Sequence, residues 1–170
     1  MPALIDLHAA VAAEGRWIAT EPGFDREARA AMVTESLATG TSGGDPCAGF
    51  VVDGRPGDAG GAIAGNLNVF ARAYGVTELG MMVAAGRRGE GIGSALLQAA
   101  IDWSRAQGAH KISLEMWPDN DAARGLYEKF GFVDEGFLRD HYRRSDGSLR
   151  SAVVMGLLLD REAPLGDDGR

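Results

Sequence analysis

The 170-residue chain is 45% hydrophobic and 24% charged, which is ordinary for one globular domain with a sizeable core and argues against two domains. Its 24 acidic and 17 basic residues give a net charge of −7, which disfavours a nucleic-acid-binding surface and favours a cationic partner, although such acidity also serves solubility alone. The single cysteine, Cys47, excludes an internal disulfide, and the scattered histidines have no zinc-ligand spacing. With no basic leader and no apolar run longer than a strand, the sequence predicts a cytoplasmic protein without a metal or a membrane contact.

The N-terminal part of the chain carries weak patterns. Residues 1–24 define no element clearly, although Trp17, Ile18 and Ala19 are compatible with a short strand. Asp25, a good helix cap, precedes apolar residues at near-helical spacing, and Gly40 stands where the helix would end. We therefore expect a helix between these two residues, carrying Ala28, Met32 and Leu37.

The middle of the chain has clearer patterns. Residues 48–52 and 62–70 favour two antiparallel strands, because the stretch between them is rich in turn-forming glycine, proline and aspartate. Residues 78–83 alternate larger apolar side chains with smaller or polar ones and predict a central strand. A helix follows, ended by Gly108. Its apolar face consists of Ile92, Leu96, Ala99 and Trp103, widened by Leu97, Ala100 and Ile101.

Another strand and helix follow. Residues 111–117 alternate apolar and polar side chains and predict a strand, which Pro118 ends. The intervening helix favours a right-handed crossover, so this strand should lie parallel to the central one. In the next helix, Ala123, Leu126, Tyr127 and Phe130 fall on one side. This helix has three candidate caps and is closed by Gly131. These caps are Asp119, Asn120 and Asp121.

The C-terminal part predicts a hairpin. Residues 132–139 and 151–159 favour strands, and Asp146-Gly147 between them is a hairpin turn signal, so the two should be antiparallel. We interpret residues 1–160 as one domain and the polar residues 161–170 as a disordered tail.

The link between the central strand and its helix is rich in glycine and arginine. Glycines there allow backbone N–H groups to approach an anion at the helix N-terminus, so the segment is suited to hold phosphate. It lacks the Gly-Lys-Ser/Thr of a Walker loop and the third glycine of a Rossmann fingerprint. What remains is Arg88-x-x-Gly91-x-Gly93, which resembles the pyrophosphate-binding signature of the GCN5-related N-acetyltransferases (GNAT).

A second motif strengthens this resemblance. Residues 120–132 read Asn120-Asp-Ala-Ala123-Arg-Gly-Leu126-Tyr127-Glu-Lys-Phe-Gly131-Phe132, which is similar to the Asn-x-x-Ala-x-x-Leu-Tyr-Glu-x-x-Gly-Phe segment of the same superfamily. The two motifs occur in the right order, separated by one helix and one strand. The resemblance covers residues 78–159 well, whereas residues 1–77 match only in element order.

The resemblance implies a fold and a cofactor site. The expected fold is an α/β (α+β) arrangement: a mixed, mostly antiparallel sheet of about seven strands flanked by helices, with strands four and five parallel and splayed. Acetyl-CoA would serve as cosubstrate, without a metal. Its binding residues would be Met81, Met82 and Val83 along the pantetheine arm, Arg88, Gly89, Glu90, Gly91, Ile92, Gly93 and Ser94 at the pyrophosphate, and Asn120 and Tyr127 near the pantetheine and the sulfur.

The resemblance also implies catalytic candidates. Tyr127 would protonate the departing thiolate; a core tyrosine is the alternative, but the resemblance favours the catalytic role. Glu115 lies where bacterial N-terminal protein acetyltransferases of this fold place a general base, and Glu78 on the central strand is the rival base. Three residues near the last hairpin could line the acceptor opening, but a solvated edge is expected. These are Tyr142, Arg143 and Arg144.

The sequence thus predicts an N-acetyltransferase that transfers acetyl directly to a primary amine, either a small molecule or a peptide N-terminus. A non-catalytic acyl-CoA-binding or regulatory module is the alternative. It would keep the glycine loop without needing Tyr127 or a nearby carboxylate. The sequence identifies neither the acceptor nor the oligomeric state, and a homodimer is compatible with it.

Overall fold

Seven strands form one mixed sheet in the order β1-β2-β3-β4-β5-β7-β6 in the computed structural model, which describes residues 1–55 and 62–159. The strands are β1 (Thr41–Ser42), β2 (Asp45–Asp53), β3 (Ile63–Arg72), β4 (Val76–Val83), β5 (Lys111–Met116), β6 (Val133–Arg143) and β7 (Leu149–Leu158). The helices are α1 (Pro2–Ala13), α2 (Arg26–Thr39), α3 (Ile92–Ala106) and α4 (Asp121–Lys129). The expected tail, and most of the turn before residue 62, lie outside the described residues.

The sheet opens in its middle, between β4 and β5. These two strands are parallel, as predicted, and they pair only through Val76, Thr77 and Glu78 on β4. All other neighbouring strands are antiparallel. Beyond Glu78, β4 continues to Val83 alongside β3 alone, while β5 continues alongside β7. The two central strands therefore separate and leave a slot with backbone N–H and C=O groups on its edges.

The core lies where α3 and α4 cover this part of the sheet. The α3 residues Ile92, Leu96 and Leu97 are buried, and they belong to one apolar cluster with Ile112 and Leu114 of β5. The predicted α4 face also packs here: Tyr127 belongs to the cluster, and the partly buried Ala123, Leu126 and Phe130 pack against it. The hydrophobic periodicity of both helices therefore identified their buried sides correctly.

Helix α1 was not foreseen from the sequence. It begins with Pro2 at its first turn, and it buries Ile5, Leu7 and Val11. The strand expected at Trp17–Ala19 is wrong, because these residues form bends after α1. Their backbone is bonded by side chains instead of a neighbouring strand: the Ala19 carbonyl accepts a 2.7 Å hydrogen bond from Arg144.

Helix α2 has the predicted ends but not a buried face. The Asp25 side chain accepts a hydrogen bond from the Ala28 amide, and Gly40 caps the other end with φ of 65°. However, Met32 and Leu37 are 46% and 56% exposed. This helix is fixed by its caps and its contacts with α1, β1 and β2 rather than by the main core.

The last two strands form the predicted antiparallel hairpin, and β7 inserts between β5 and β6. Strand β6 is longer than its sequence pattern indicated and carries a bulge. Leu138 pairs with Ala152 and Tyr142 pairs with Arg150, so four steps along β6 correspond to two along β7. Such a bulge bends a strand and changes where its following side chains point.

Candidate active site

A cavity of about 700 Å³ occupies the slot between β4 and β5. Its walls come from β4, the loop before α3, the start of α3, β5 and α4, and from positions remote in sequence: Val11, residues 17–19, Tyr142 and Ala152. A cavity of this size fits a cofactor or a substrate of moderate size. The separation of two central strands therefore creates the main candidate site.

The loop between β4 and α3 forms one end of the cavity. Gly89 and Gly91 both have φ of 83°, a conformation that side chains with Cβ rarely adopt. Gly91 is the N-cap of α3, and no side chain caps the helix there. The first N–H groups of α3 are therefore available to an anion, as the sequence predicted for a phosphate-binding loop.

The glycine at position 93 has a different structural role. A Cβ atom at this position would lie 2.9 Å from Cδ2 of Leu126, so a larger residue would have to displace this α4 side chain. At Gly91 a Cβ atom would meet nothing within 4 Å. The two motif glycines therefore act differently: Gly91 provides a backbone conformation, and Gly93 allows two helices to pack.

Arg88 lines the cavity but is held by a protein partner. Its guanidinium donates hydrogen bonds of 2.8 and 2.6 Å to the two carboxylate oxygens of Glu14, and its Nε donates to the Val83 carbonyl. It also lies 5.6 Å from the ring centre of Trp17. The hydrogen bonds from Arg88 lower the pKa of Glu14. The signature arginine thus connects the loop to the segment after α1.

Tyr127 lies on the helix side of the sheet. It is 6% exposed, its ring packs against Phe132, and it lines the cavity. Burial raises the pKa of Tyr127 to about 12. The hydroxyl is consequently protonated at neutral pH and is a donor.

Glu115 approaches the cavity from the other side of β5. The buried Leu114 and Met116 point into the core, so the intervening Glu115 faces the opposite side. The Tyr142 hydroxyl donates a short hydrogen bond to its Oε2 atom. Tyr142 also lines the cavity, so the solvated edge expected there is wrong for this residue. Arg143 and Arg144 are not among the lining residues.

Three further predicted site residues have other contacts. Glu78 does not line the cavity, and it accepts a 2.8 Å hydrogen bond from Arg72. Glu90 lies in the glycine loop, but its carboxylate pairs with Arg87 and Arg55 rather than lining the cavity. Asn120 lines the cavity while its Oδ1 caps α4 through the Ala123 amide.

The other predicted cofactor-binding residues line the cavity. These are Met81, Met82, Val83, Gly89, Gly91, Ile92, Gly93 and Ser94.

The wall formed by residues 17–19 was missed by the sequence analysis. Its neighbours are held by distant side chains: Arg144 donates to the Ala19 carbonyl, Ser145 binds the Glu21 carboxylate, and Arg150 donates to the Arg16 carbonyl. These contacts join residues more than 120 positions apart along the chain, and no local pattern reveals them.

The described residues, 1–55 and 62–159, contain no group of three or more His, Cys, Asp or Glu side chains arranged to hold a metal ion. In the same ranges, none of the helices is both long and apolar enough to cross a membrane.

Comparison with known proteins identifies several relatives. The model of the acetyltransferase (GNAT) family matches residues 14–132. The ribosomal protein bS18-alanine N-acetyltransferase of Escherichia coli (strain K12) is 37% identical over 68 residues, which are 40% of this chain and 45% of that protein. The chain thus spans less than half the length of this relative.

Solved structures share the fold. The ribosomal-protein-alanine N-acetyltransferase from Brucella melitensis matches over 93% of both chains with a TM-score of 0.75 and 24% identity. The Salmonella typhimurium protein yncA, solved with its cofactor acetyl-CoA, matches over 98% of this chain and 92% of its own, with a TM-score of 0.73 and 19% identity. The mixed sheet with a splayed parallel pair, expected from the resemblance, is confirmed.

Proposed function

The chain belongs to the acetyltransferase (GNAT) family, and we propose that it transfers the acetyl group of acetyl-CoA to a primary amine. One observation carries this proposal. Glu115 and Tyr127, a proton acceptor and a proton donor, line the same cavity from opposite sides of β5. A non-catalytic acyl-CoA-binding module would need the loop and the slot but neither of these side chains.

The cavity fits acetyl-CoA in two respects. The uncapped N-terminus of α3 and the left-handed Gly89 and Gly91 suit a pyrophosphate. The edge of β4 beyond Glu78 offers backbone donors and acceptors to the amides of a pantetheine arm. Met81, Met82 and Val83 would lie along this arm, and Asn120 would bond its amides. Bound there, acetyl-CoA supplies the thioester that an amine can attack.

The side chains would then move two protons. Glu115 accepts a proton from the acceptor ammonium, directly or through water, because a protonated amine has no lone pair for attack. Tyr127 donates its proton to the departing thiolate, and a backbone N–H of β4 stabilises the developing negative oxygen. Glu115 is preferred to Glu78 as the base, since Glu78 is engaged by Arg72 and lies outside the cavity lining.

The acceptor is a cationic amine in this proposal. The Escherichia coli relative is named for acting on the alanine of a ribosomal protein, which supports a peptide N-terminus. The net charge of −7 favours positively charged acceptors in general, small molecules included.

Turnover of acetyl-CoA with polyamines, amino acids, aminosugars and short peptides tests this function. We expect CoA release with at least one cationic amine and faster rates for acceptors of higher positive charge. Tyr127→Phe should lower kcat by roughly a hundred- to ten-thousand-fold with little change in acetyl-CoA affinity, since only the hydroxyl is lost. Tight acetyl-CoA binding without turnover of any amine would favour the non-catalytic module, and a fully active Tyr127→Phe variant would make this tyrosine structural.

A further inference from the structure

Glu115 and Tyr142 meet in the wall of the cavity although they lie on strands that are not neighbours, β5 and β6. This wall is the acceptor side of the cavity in the proposed function, because Glu115 would receive the amine proton there. The Tyr142 hydroxyl donates to Oε2 of Glu115. Within the described residues, Oε1 of Glu115 has no hydrogen-bond partner. One oxygen of the carboxylate is therefore occupied, and the other remains available.

The bulge in β6 brings Tyr142 to this position. In a regular hairpin Asp140, rather than Tyr142, would pair with Arg150, because Leu138 pairs with Ala152. Asp140 has φ of 50°, and its amide donates to the Ser151 hydroxyl at 2.9 Å. An aspartate in the left-handed region is uncommon and stores strain, so its surroundings must enforce this conformation. The β6 bulge therefore sets the position of Tyr142 opposite Arg150 on β7.

The Tyr142 ring is also fixed by its neighbours. It packs edge-to-face against Trp117 with ring centres 5.2 Å apart, and against His141 at 4.9 Å. Trp117 is in turn covered by Arg150, 4.6 Å from its ring centre, and Arg150 is bound to Asp119. A tyrosine held in this way can hold another group in place.

We propose that Tyr142 is a positioning residue for Glu115: it binds one carboxylate oxygen and directs the other towards the acceptor amine. This inference rests on the proposed function, because it takes Glu115 as the group that receives the amine proton. Tyr142 does not itself take part in the proton transfer.

The charges around the pair agree with this role. Glu78 on β4 acts on Tyr142 through space, and Glu115 binds it directly. Arg150 on β7 and Arg144 lie against Trp117, and His141 contacts the Tyr142 ring. Burial, then the hydrogen bond and charge of Glu115, raise the pKa of Tyr142 to about 12. The hydroxyl thus stays protonated in the range where the enzyme would work.

Removing the Tyr142 hydroxyl would leave the Glu115 carboxylate free to rotate away from the amine. The chemical step should then slow, while the affinity for acetyl-CoA stays unchanged because Tyr142 is not among the residues proposed to bind it.

The three tyrosines of the chain provide matched variants. Tyr142→Phe should lower kcat by about tenfold, the size of one charge-assisted hydrogen bond, without changing KM for acetyl-CoA. In a Glu115→Gln background the same change should lower kcat no further, because the carboxylate that Tyr142 positions is gone, whereas Tyr127→Phe should still lower it. Tyr74→Phe, at a side chain that is 95% exposed, should change neither kcat nor KM. An unchanged kcat in Tyr142→Phe, or an equal loss with and without Glu115, overturns the proposal.

A second measurement needs no turnover. With tyrosines labelled with carbon-13 at Cζ, the Tyr142 resonance should shift between the parent protein and Glu115→Gln at neutral pH, because an amide oxygen accepts a weaker hydrogen bond than a carboxylate. The Tyr74 resonance should be the same in both proteins. If transferase activity is absent but this coupled shift is present, the acetyltransferase proposal fails while the Tyr142–Glu115 contact stands. If activity is present and the shift is absent, the positioning role fails alone.

Discussion

The two ends of the cavity, proposed above to bind the cofactor and the acceptor amine, are built in different ways. The cofactor end consists of consecutive elements, β4, α3, β5 and α4, and it offers the unpaired backbone edge of β4 and the uncapped N-terminus of α3. The acceptor end joins the segment after α1 to the β6–β7 hairpin through side chains such as Arg144 and Glu21. Backbone recognition leaves a clear signal in the sequence, because it requires glycines and strand patterns. Recognition by distant side chains does not.

The difference between the two ends predicts that binding at the cofactor end depends on backbone conformation. Gly91→Val should weaken acetyl-CoA binding by at least about tenfold, because its φ of 83° is strained for valine and the loop amides would move away from the phosphates. Arg88→Ala should have a smaller effect, since Glu14 already occupies this guanidinium. Calorimetric titration with acetyl-CoA measures both.

A matched control for this prediction is Gly44→Val. Gly44 has φ of 92° and open space at its Cβ position, like Gly91, but it lies in the β1–β2 turn. The Gly44→Val variant should have a lower free energy of unfolding but an unchanged affinity for acetyl-CoA. If Arg88→Ala weakened binding more than Gly91→Val, the cofactor end would depend on charge rather than on backbone.

The acceptor end should instead depend on single side chains. Arg144→Ala removes the hydrogen bond to the Ala19 carbonyl and the contact with Glu21, so the wall at residues 17–19 should loosen. We expect KM for the amine to rise by roughly three- to tenfold, the value of one or two such bonds, while acetyl-CoA affinity is unchanged. Arg143→Ala, at the exposed neighbouring residue, is the control. Equal effects of the two variants would mean that charge alone matters there.

The ion pair between Arg88 and Glu14 connects the two ends and should give the smallest effect. Glu14→Gln weakens the hold on Arg88 and should tighten acetyl-CoA binding by about two- to threefold, because partly exposed ion pairs contribute less than about 1 kcal/mol. In an Arg88→Ala background the same change should have no effect on binding. A tightening that persisted in that background would show that Glu14 acts on the cofactor by simple charge repulsion.

The same difference explains what the sequence could predict. Helices α3 and α4 and strand β5 were predicted with their buried faces, since their periodicity is strong and their caps, Asn120 and Gly108, are specific. Both motifs also pointed to residues that line one cavity. Helix α1 was missed because its apolar residues, Ile5, Leu7 and Val11, do not form one regular stripe.

The missed parts of the site are pairs that only the tertiary fold brings together. Glu14 and Arg88 are 74 positions apart, and Glu115 and Tyr142 are 27 apart on non-adjacent strands. Even where both members of a pair were noticed, as for Glu115 and Tyr142, their contact depends on the bulge at Asp140. Bulges have no reliable signature in a single sequence.

The short pairing between β4 and β5 also divides the sheet into two leaves, β1–β4 and β5–β7–β6. A molecule that forms hydrogen bonds to both inner edges would connect the two leaves, and it would bind only to the folded state. By mass action, acetyl-CoA at a hundred times its Kd would then add about 2.7 kcal/mol to the free energy of unfolding. The free energy of unfolding would thus rise and fall with the acetyl-CoA concentration.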